Sequence, residues 1–404
     1  MALNYIDWNE CSISEYDAIV VGAGFAGAVC ARELAERGNK HVLILEKRPQ
    51  IAGNMYDEFD EAGILVHRFG PHIFHTNDKR AYDYVCRFCN MDNYQHEVLA
   101  NVHGELMPVP FNKNSILQAF GQEKGQRYID KLIEKFGDEK KVTITELRAC
   151  EDEELSEIAD YVYNNVFLYY TQKQWGLTPD EVDPSVVARV PVFISNDNRY
   201  FQDAYQGMPQ PSYTSLFESM LDHTNIDICL NVDATSVLDL NFDDCEDASV
   251  TSISLKGVEL TVPVIYTGPL DELFIARYGR LPYRTLDFVY ETYPQEKWQA
   301  AATVNYTTTE NYTRITEFKQ LTGQKSDNTT IMKEYSKEYT DSDGQIPYYA
   351  IINDENIALH QKYLHLCRNL NNFHALGRLA EYKYYNMDKI ISLALELSDK
   401  LLSE

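Results

Sequence analysis

Apolar residues fall along this chain in two rhythms. Ala18–Val21 and Val42–Leu45 are apolar at every position, the mark of short strands covered on both faces. Between them, from Phe25 to Gly38, apolar residues recur three and four apart, which predicts a helix. The same spacing, with many charges interleaved, runs from Lys113 to about Asn165, after a breaker at Pro108–Asn112 (PVPFN). The second half reads mostly as strand: 190–195, 200–206, 226–237 as a strand pair, 262–267, 285–293, 301–307, 313–318, 329–335 and 373–377. Helices are predicted at Thr214–Leu221 and Met387–Leu402. Trp175–Arg189, with a glycine, two prolines and several acids, predicts a long loop able to act as a lid.

Glycine marks the junction of the first strand and the first helix. Gly22-Ala23-Gly24-Phe25-Ala26-Gly27 is a G-x-G-x-x-G, and Glu46 closes the next strand 22 positions after Gly24. Gly22 permits a tight turn, Gly24 lets the backbone approach a pyrophosphate, and Gly27 lets the helix pack close to the strand. Phe25 and Ala26 open a helix whose free N–H groups favour that pyrophosphate. Glu46 suits a ribose hydroxyl. Lys47-Arg48 and the Ala52-Gly53-Asn54 loop suggest continued contact with an extended dinucleotide. Val262–Thr267 ends on a second glycine, Gly268, and a C-terminal helix returns toward the front of the chain. That layout favours flavin over nicotinamide. The predicted fold class is α/β: a discontinuous Rossmann-like FAD-binding domain (1–95, 210–269, 351–404), a small helical domain (96–165), and an antiparallel β-sheet substrate domain (166–209, 270–350) with a mobile lid at 175–189.

A formal net charge of −26 argues against nucleic acid and anionic lipid as partners. A phosphate-bearing ligand would need local arginines working against the overall field. Arg189 and Arg314 are the candidates, since a guanidinium is a planar fork matched to phosphate. No run of about 20 apolar residues predicts a membrane span, and the first 16 residues lack a signal-like basic start and apolar middle. Eight scattered cysteines fit a reducing cytoplasm. Cys86-x-x-Cys89 has no second pair to complete a zinc site, and reads as packing. His67–Thr76 (HRFGPHIFHT) predicts an irregular segment whose buried, hydrogen-bonded histidines line a pocket rather than hold a metal. The 29 tyrosines suit a site for bases, sugars and phosphates. No nucleophile elbow, zinc signature or kinase signature is present, so the chemistry falls to a cofactor.

Over residues 16–402 the chain resembles the bacterial UDP-galactopyranose mutases. The resemblance is carried by the glycine loop, EKR…GN, GPHIFHT (70–76), YTQKQWG (170–176), DNRYF (197–201), YQG, VIYTGP (264–269), YTR (312–314), PYY (347–349) and GRLAEYKYYNM (377–387). It implies an enzyme that uses reduced FAD to interconvert UDP-galactopyranose and UDP-galactofuranose with no net redox change, flavin N5 bonding to the anomeric carbon while UDP leaves and returns. It further implies an external reductant, a cytoplasmic homodimer and a product destined for cell-surface polysaccharide. Arg189 and Arg314 match the diphosphate arginines, and Tyr200, Tyr349 and Tyr384 the phosphate-binding tyrosines. Tyr170, Thr171 and Trp175 match the uridine site, with Phe167 stacking on the base. Asn305 matches a position near diphosphate and sugar, and His72 the histidine beside the flavin ring. Arg378, Tyr385, Asn386 and Met387 match flavin contacts, and Val232 the adenine side. The sequence departs from the common pattern at Ala52 (often glycine), Pro71 (often alanine), His96 (near a substrate asparagine) and Asn386 (often aspartate). These departures keep another UDP-sugar, such as UDP-N-acetylgalactosamine, in view. A flavin oxidase or dehydrogenase of the amine-oxidase type would share the front loop and layout, but needs no paired arginines.

Overall fold

The computed structural model describes residues 3–178, 191–243, 248–342 and 344–404. Its first layer is a parallel six-stranded sheet in the order Asn4–Tyr5, Ile226–Leu230, Val42–Glu46, Ala18–Val21, Val264–Tyr266, Phe373–Ala375. Apart from Ala18–Val21 and Val42–Glu46, neighbours in that sheet are far apart in sequence, so this half is built from separated stretches. Both faces are covered. Val20, Val42, Ile44 and Ile228 pack with the helices Phe25–Gly38 and Met387–Ser403, while Ile19, Val21, Leu43 and Leu45 pack on the opposite side. Burying each such side chain contributes about 1.5–3 kcal/mol, which is why Ala18–Val21 and Val42–Glu46 carry no polar residue before Glu46, while Asp227 in Ile226–Leu230 accepts the Tyr16 hydroxyl at 2.8 Å. Helix Phe25–Gly38 stops at Asn39, which adopts the left-handed conformation (φ 49°).

The second layer is a seven-stranded sheet in the order Tyr349–Ala350, Tyr283–Tyr293, Thr329–Glu338, Arg314–Glu317, Thr303–Tyr306, Val98–Val102, Glu105–Val109. Its pairs are antiparallel except Thr303–Tyr306 with Val98–Val102, which run parallel. The last two strands correct the expectation of a helical unit beginning at 96. VLANV buries every other residue, and His103-Gly104, both left-handed (φ 53° and 94°), make the hairpin turn. The inner face of this hairpin joins the core of the helical unit, whose helices run from Lys113–Phe120 to Leu168–Trp175.

Other expectations need adjustment. Residues 226–237 are one strand followed by a short helix, Ala234–Val237, because the Asp233 side chain accepts the Thr235 N–H at 3.0 Å and caps it. The strand expected at 200–206 is confined to Tyr205–Gly207, and that expected at 190–195 to Val192–Phe193. Of the segment expected to be irregular, His67–Thr76, only residues 68–73 are so: His67 ends the strand Leu65–His67, and Phe74–Thr76 is itself a strand. Of the loop expected at 175–189, Trp175 ends a helix and residues 179–189, Arg189 included, lie outside the described residues.

Candidate active site

Both sheets open onto one cavity of about 840 Å³. On the dinucleotide side it is lined by Gly22, Gly24, Phe25, Ala26, Glu46, Lys47, Asn54, Val232, Arg378, Tyr385, Asn386 and Met387. On the other side stand His72, His96, Phe167, Tyr170, Thr171, Trp175, Tyr200, Asn305, Arg314, Tyr349 and Tyr384. Residues drawn from most of the chain's length therefore converge. Gly27 does not line the cavity. A Cβ there would sit 1.9 Å from the Gly22 carbonyl oxygen and 2.9 Å from Val20 Cγ1, so this glycine serves close packing of helix on turn rather than ligand contact.

The dinucleotide side is made chiefly of backbone. Gly22 is left-handed (φ 98°) and packed against Thr267. A Cβ on Gly24 would meet only Gly53 Cα, at 3.8 Å, which leaves a backbone-lined hollow at the helix start. Gly24 is the N-cap and no side chain caps the helix, so its first N–H groups are free for an anion. Glu46 accepts the Ala23 N–H at 2.8 Å and the Arg48 N–H at 2.9 Å, holding the turn against the next strand. Arg48 lies 4.3 Å over Phe69 and donates to Asn54 Oδ1 at 2.9 Å. Its Nη1 is buried with no partner among the described residues. A second uncapped helix start, at Asn386, also faces the cavity.

The other side is made of side chains. One rung of the seven-stranded sheet aligns Asn305, Arg314 and Glu334 across three strands. Arg314 Nε donates to Glu334 Oε2 at 2.9 Å, and that glutamate is fully buried. Burial alone would lower the Arg314 pKa, but Glu334 overrides it and holds the guanidinium firmly charged. Asn305 Oδ1, Thr303 Oγ1 and Gln174 Oε1 are buried without partners among the described residues, and all three residues line the cavity. Phenols complete the wall. Tyr349 stacks on Tyr384 at 5.7 Å between centroids, Trp175 tilts against Tyr349 at 5.6 Å, and the Arg378 guanidinium lies over both phenols. Burial pushes Tyr170 and Tyr349 well above the ordinary phenol value, so both remain hydroxyl donors.

His72 and His96 are neutral. Burial, with His67 and Arg378 adding to it, brings His72 down to about 3. Burial and Arg314 bring His96 down to about 3 as well. His96 Nδ1 is 3.0 Å from the Tyr94 hydroxyl. Within 67–76, the expectation of hydrogen-bonded rings holds for His75, which pairs with Asp203 at 2.7 Å, and for His67 through Nδ1. The His72 backbone N–H donates to His67 Nδ1 at 3.1 Å, while its own ring Nδ1 lacks a partner among the described residues. No group of three metal-ligating side chains occurs among the described residues.

Sequence reasoning missed Glu334, Gln174, Thr303 and Lys173 as site builders. Lys173 and Gln174 stand inside the YTQKQWG motif. Glu334 stands among other polar and charged residues in its strand, TTIMKEYSKE, so no local signal set it apart.

A glycine-loop Rossmann sheet facing a wall of arginine, asparagine and phenols defines the class: a dinucleotide-binding fold with a second, side-chain-lined polar wall across the same cavity. The family model described as UDP-galactopyranose mutase matches residues 165–384, and that of NAD(P)-binding Rossmann-like domains matches 20–88. A probable UDP-galactopyranose mutase of Klebsiella pneumoniae is 38% identical over 95% of this chain and 94% of its own. A dTDP-fucopyranose mutase of Escherichia coli is 33% identical over 94% of this chain and 96% of its own. The chain belongs to the UDP-galactopyranose mutase family. The crystal structure of a reduced UDP-galactopyranose mutase shares the fold, with a TM-score of 0.67 and 16% identity over 96% of this chain and 94% of that one.

Proposed function

We propose that the protein interconverts UDP-galactopyranose and UDP-galactofuranose with reduced FAD, and that the observation carrying this reading is the Asn305–Arg314–Glu334 rung facing the same cavity as the glycine loop. FAD fits the residues present. The hollow over Gly24 and the uncapped helix start suit a pyrophosphate, and the orphaned Arg48 Nη1 and His72 Nδ1 await polar partners. Gly22, Gly24, Phe25, Ala26, Glu46, Lys47, Asn54 and Val232 would hold the dinucleotide, and Arg378, Tyr385, Asn386 and Met387 the ring end. A bound reduced flavin supplies an electron pair to the sugar's anomeric carbon and recovers it, so the sugar ring is rebuilt without net oxidation.

The chain's own part is to bind, orient and exclude water. As the C1–O bond to the nucleotide breaks, negative charge gathers on the diphosphate. Arg314, with Arg189 from beyond the described residues, would stabilise that charge, each good donor contributing about 3–4 kcal/mol to the barrier. Tyr200, Tyr349 and Tyr384 add neutral hydroxyls, and Asn305 orients the sugar. Phe167, Tyr170, Thr171 and Trp175 would hold the nucleoside. A neutral His72 adds a hydrogen-bonding group near the reacting centre without adding charge that would compete for the diphosphate. In this reading residues 1–95, 210–269 and 351–404 serve the cofactor. A cytoplasmic homodimer, fed by an external reductant and supplying galactofuranose for cell-surface polysaccharide, completes the proposal.

The test is to incubate purified protein with UDP-galactofuranose, with and without dithionite, and follow UDP-galactopyranose by chromatography. Turnover only after reduction is expected. Equal activity with oxidised flavin, or hydrogen peroxide in proportion to turnover, would instead favour an oxidase. The E. coli relative acts, by its name, on a dTDP-sugar, and His96, Pro71 and Asn386 depart from the common pattern. The same assay with dTDP-fucopyranose and UDP-N-acetylgalactosamine separates these substrates.

A further inference from the structure

Lys173 belongs to the helix Leu168–Trp175, which also carries Tyr170, Thr171 and Trp175, yet it turns away from the cavity. Its ammonium enters the loop that joins strand Thr303–Tyr306 to strand Arg314–Glu317. There Nζ donates to the main-chain carbonyls of Tyr306 at 2.5 Å, Glu310 at 3.0 Å and Tyr312 at 3.3 Å, with the Thr308 carbonyl at 3.5 Å. An ammonium has three N–H bonds in a tripod, and here three carbonyls receive them. A loop that turns this sharply leaves carbonyls unpaired, and such groups are costly once out of water. The loop contains neither glycine nor proline to set its path. Its ends are Asn305 and Arg314, a directly paired rung of the sheet.

We propose that Lys173 is a positioning residue: its ammonium, held in a ring of carbonyls, fixes the 306–312 loop and thereby sets the Arg314 fork at the distance that the nucleoside-binding helix requires. One side chain joins the wall assigned to the nucleoside to the wall assigned to the diphosphate. The inference rests on the substrate-binding role proposed for Arg314. An arginine at 173 would keep the charge but present a flat fork in place of a tripod, so it should restore the site only in part.

The test is a double-substitution cycle on the flavin-loaded enzyme. Lys173→Met is expected to keep the flavin and to lower kcat on the order of 30-fold, within what a misplacement of about 1 Å costs. Lys173→Arg should fall between Lys173→Met and wild type. In an Arg314→Lys background the Lys173→Met change should cost less than about threefold further, because both act through one group. The affinity for UDP, measured by calorimetry, should weaken in parallel, and this readout does not depend on which sugar is the substrate. A loss of equal size in both backgrounds would overturn the proposal, as would a Lys173→Met enzyme within twofold of wild type. If Lys173→Met does not fold, the same cycle run with Lys173→Arg decides it by the same two criteria. A wild-type enzyme that binds UDP yet shows no mutase activity would count against the proposed reaction and leave the Lys173 cycle readable through UDP affinity.

Discussion

The cavity's two sides are built by opposite means. At the glycine loop the donors are backbone N–H groups at a helix start, and the constraint is steric: Gly27 and Gly22 leave no room for a side chain. Across the cavity the donor is a guanidinium, and the constraint is electrostatic. Arg314 brings with it a fully buried Glu334 as countercharge. The pair adds no net charge to a protein already at −26. The fork's usefulness therefore lies in its orientation rather than in raw positive potential. A backbone site needs no such partner, because N–H dipoles come without an ion to desolvate. The first kind of site should fail by losing its ligand, the second by losing rate.

The strongest test of that contrast is Gly27→Val, whose side chain would collide with the Gly22 carbonyl. It should give colourless protein with no turnover, read from visible absorbance after purification; a yellow, active variant would refute the steric argument. Next in size is Arg314→Lys, which keeps a cation near Glu334 and loses the fork. Turnover should fall about 100-fold with flavin content and melting temperature nearly unchanged, in line with the loss of a preorganised donor. Activity within threefold of wild type would show that Arg314 is no clamp.

A smaller effect concerns pH. His72 and His96 sit at about 3 in the folded protein, against about 6.5 in an unfolded chain. Between those values the unfolded chain binds more protons, so stability falls as pH drops from about 6.5 toward 3. Melting temperature followed from pH 7 to pH 4 should decline, and His96→Gln should flatten the decline. An equally steep curve for that variant would remove His96 from the account.

Smallest is Ala52→Gly. Ala52 is buried and left-handed (φ 73°). Relief of a strain of about 1–2 kcal/mol is offset by a lost buried methyl and a freer unfolded chain. The net change in unfolding free energy should stay within about 1 kcal/mol, and flavin content should not change. A larger shift would mean that the loop's backbone is set by something other than this residue.

Legibility in the sequence followed the same divide. The glycine loop, its strand and Glu46 are consecutive, so local pattern revealed them. The Asn305–Arg314–Glu334 rung depends on register between strands, which no local pattern encodes. The hairpin Val98–Val109 is masked in the sequence by the charged helical rhythm that follows from Lys113. Resemblance located Arg314 and Asn305 but not Glu334 or Lys173, since neither of the latter faces the cavity. The chain's first residues carried no signal at all.

Those first residues matter through the strand Asn4–Tyr5, which pairs with Asp227–Ile228 at the margin of the parallel sheet. Tyr16 fastens the segment to Asp227, and Lys256 reaches back to the carbonyls of Trp8 and Cys11. Without this covering, Ile226–Leu230 would offer a naked row of N–H and C=O groups to any passing chain. The sheet therefore ends on a two-residue strand instead of the five-residue Ile226–Leu230, which shortens the row of open backbone groups at that margin.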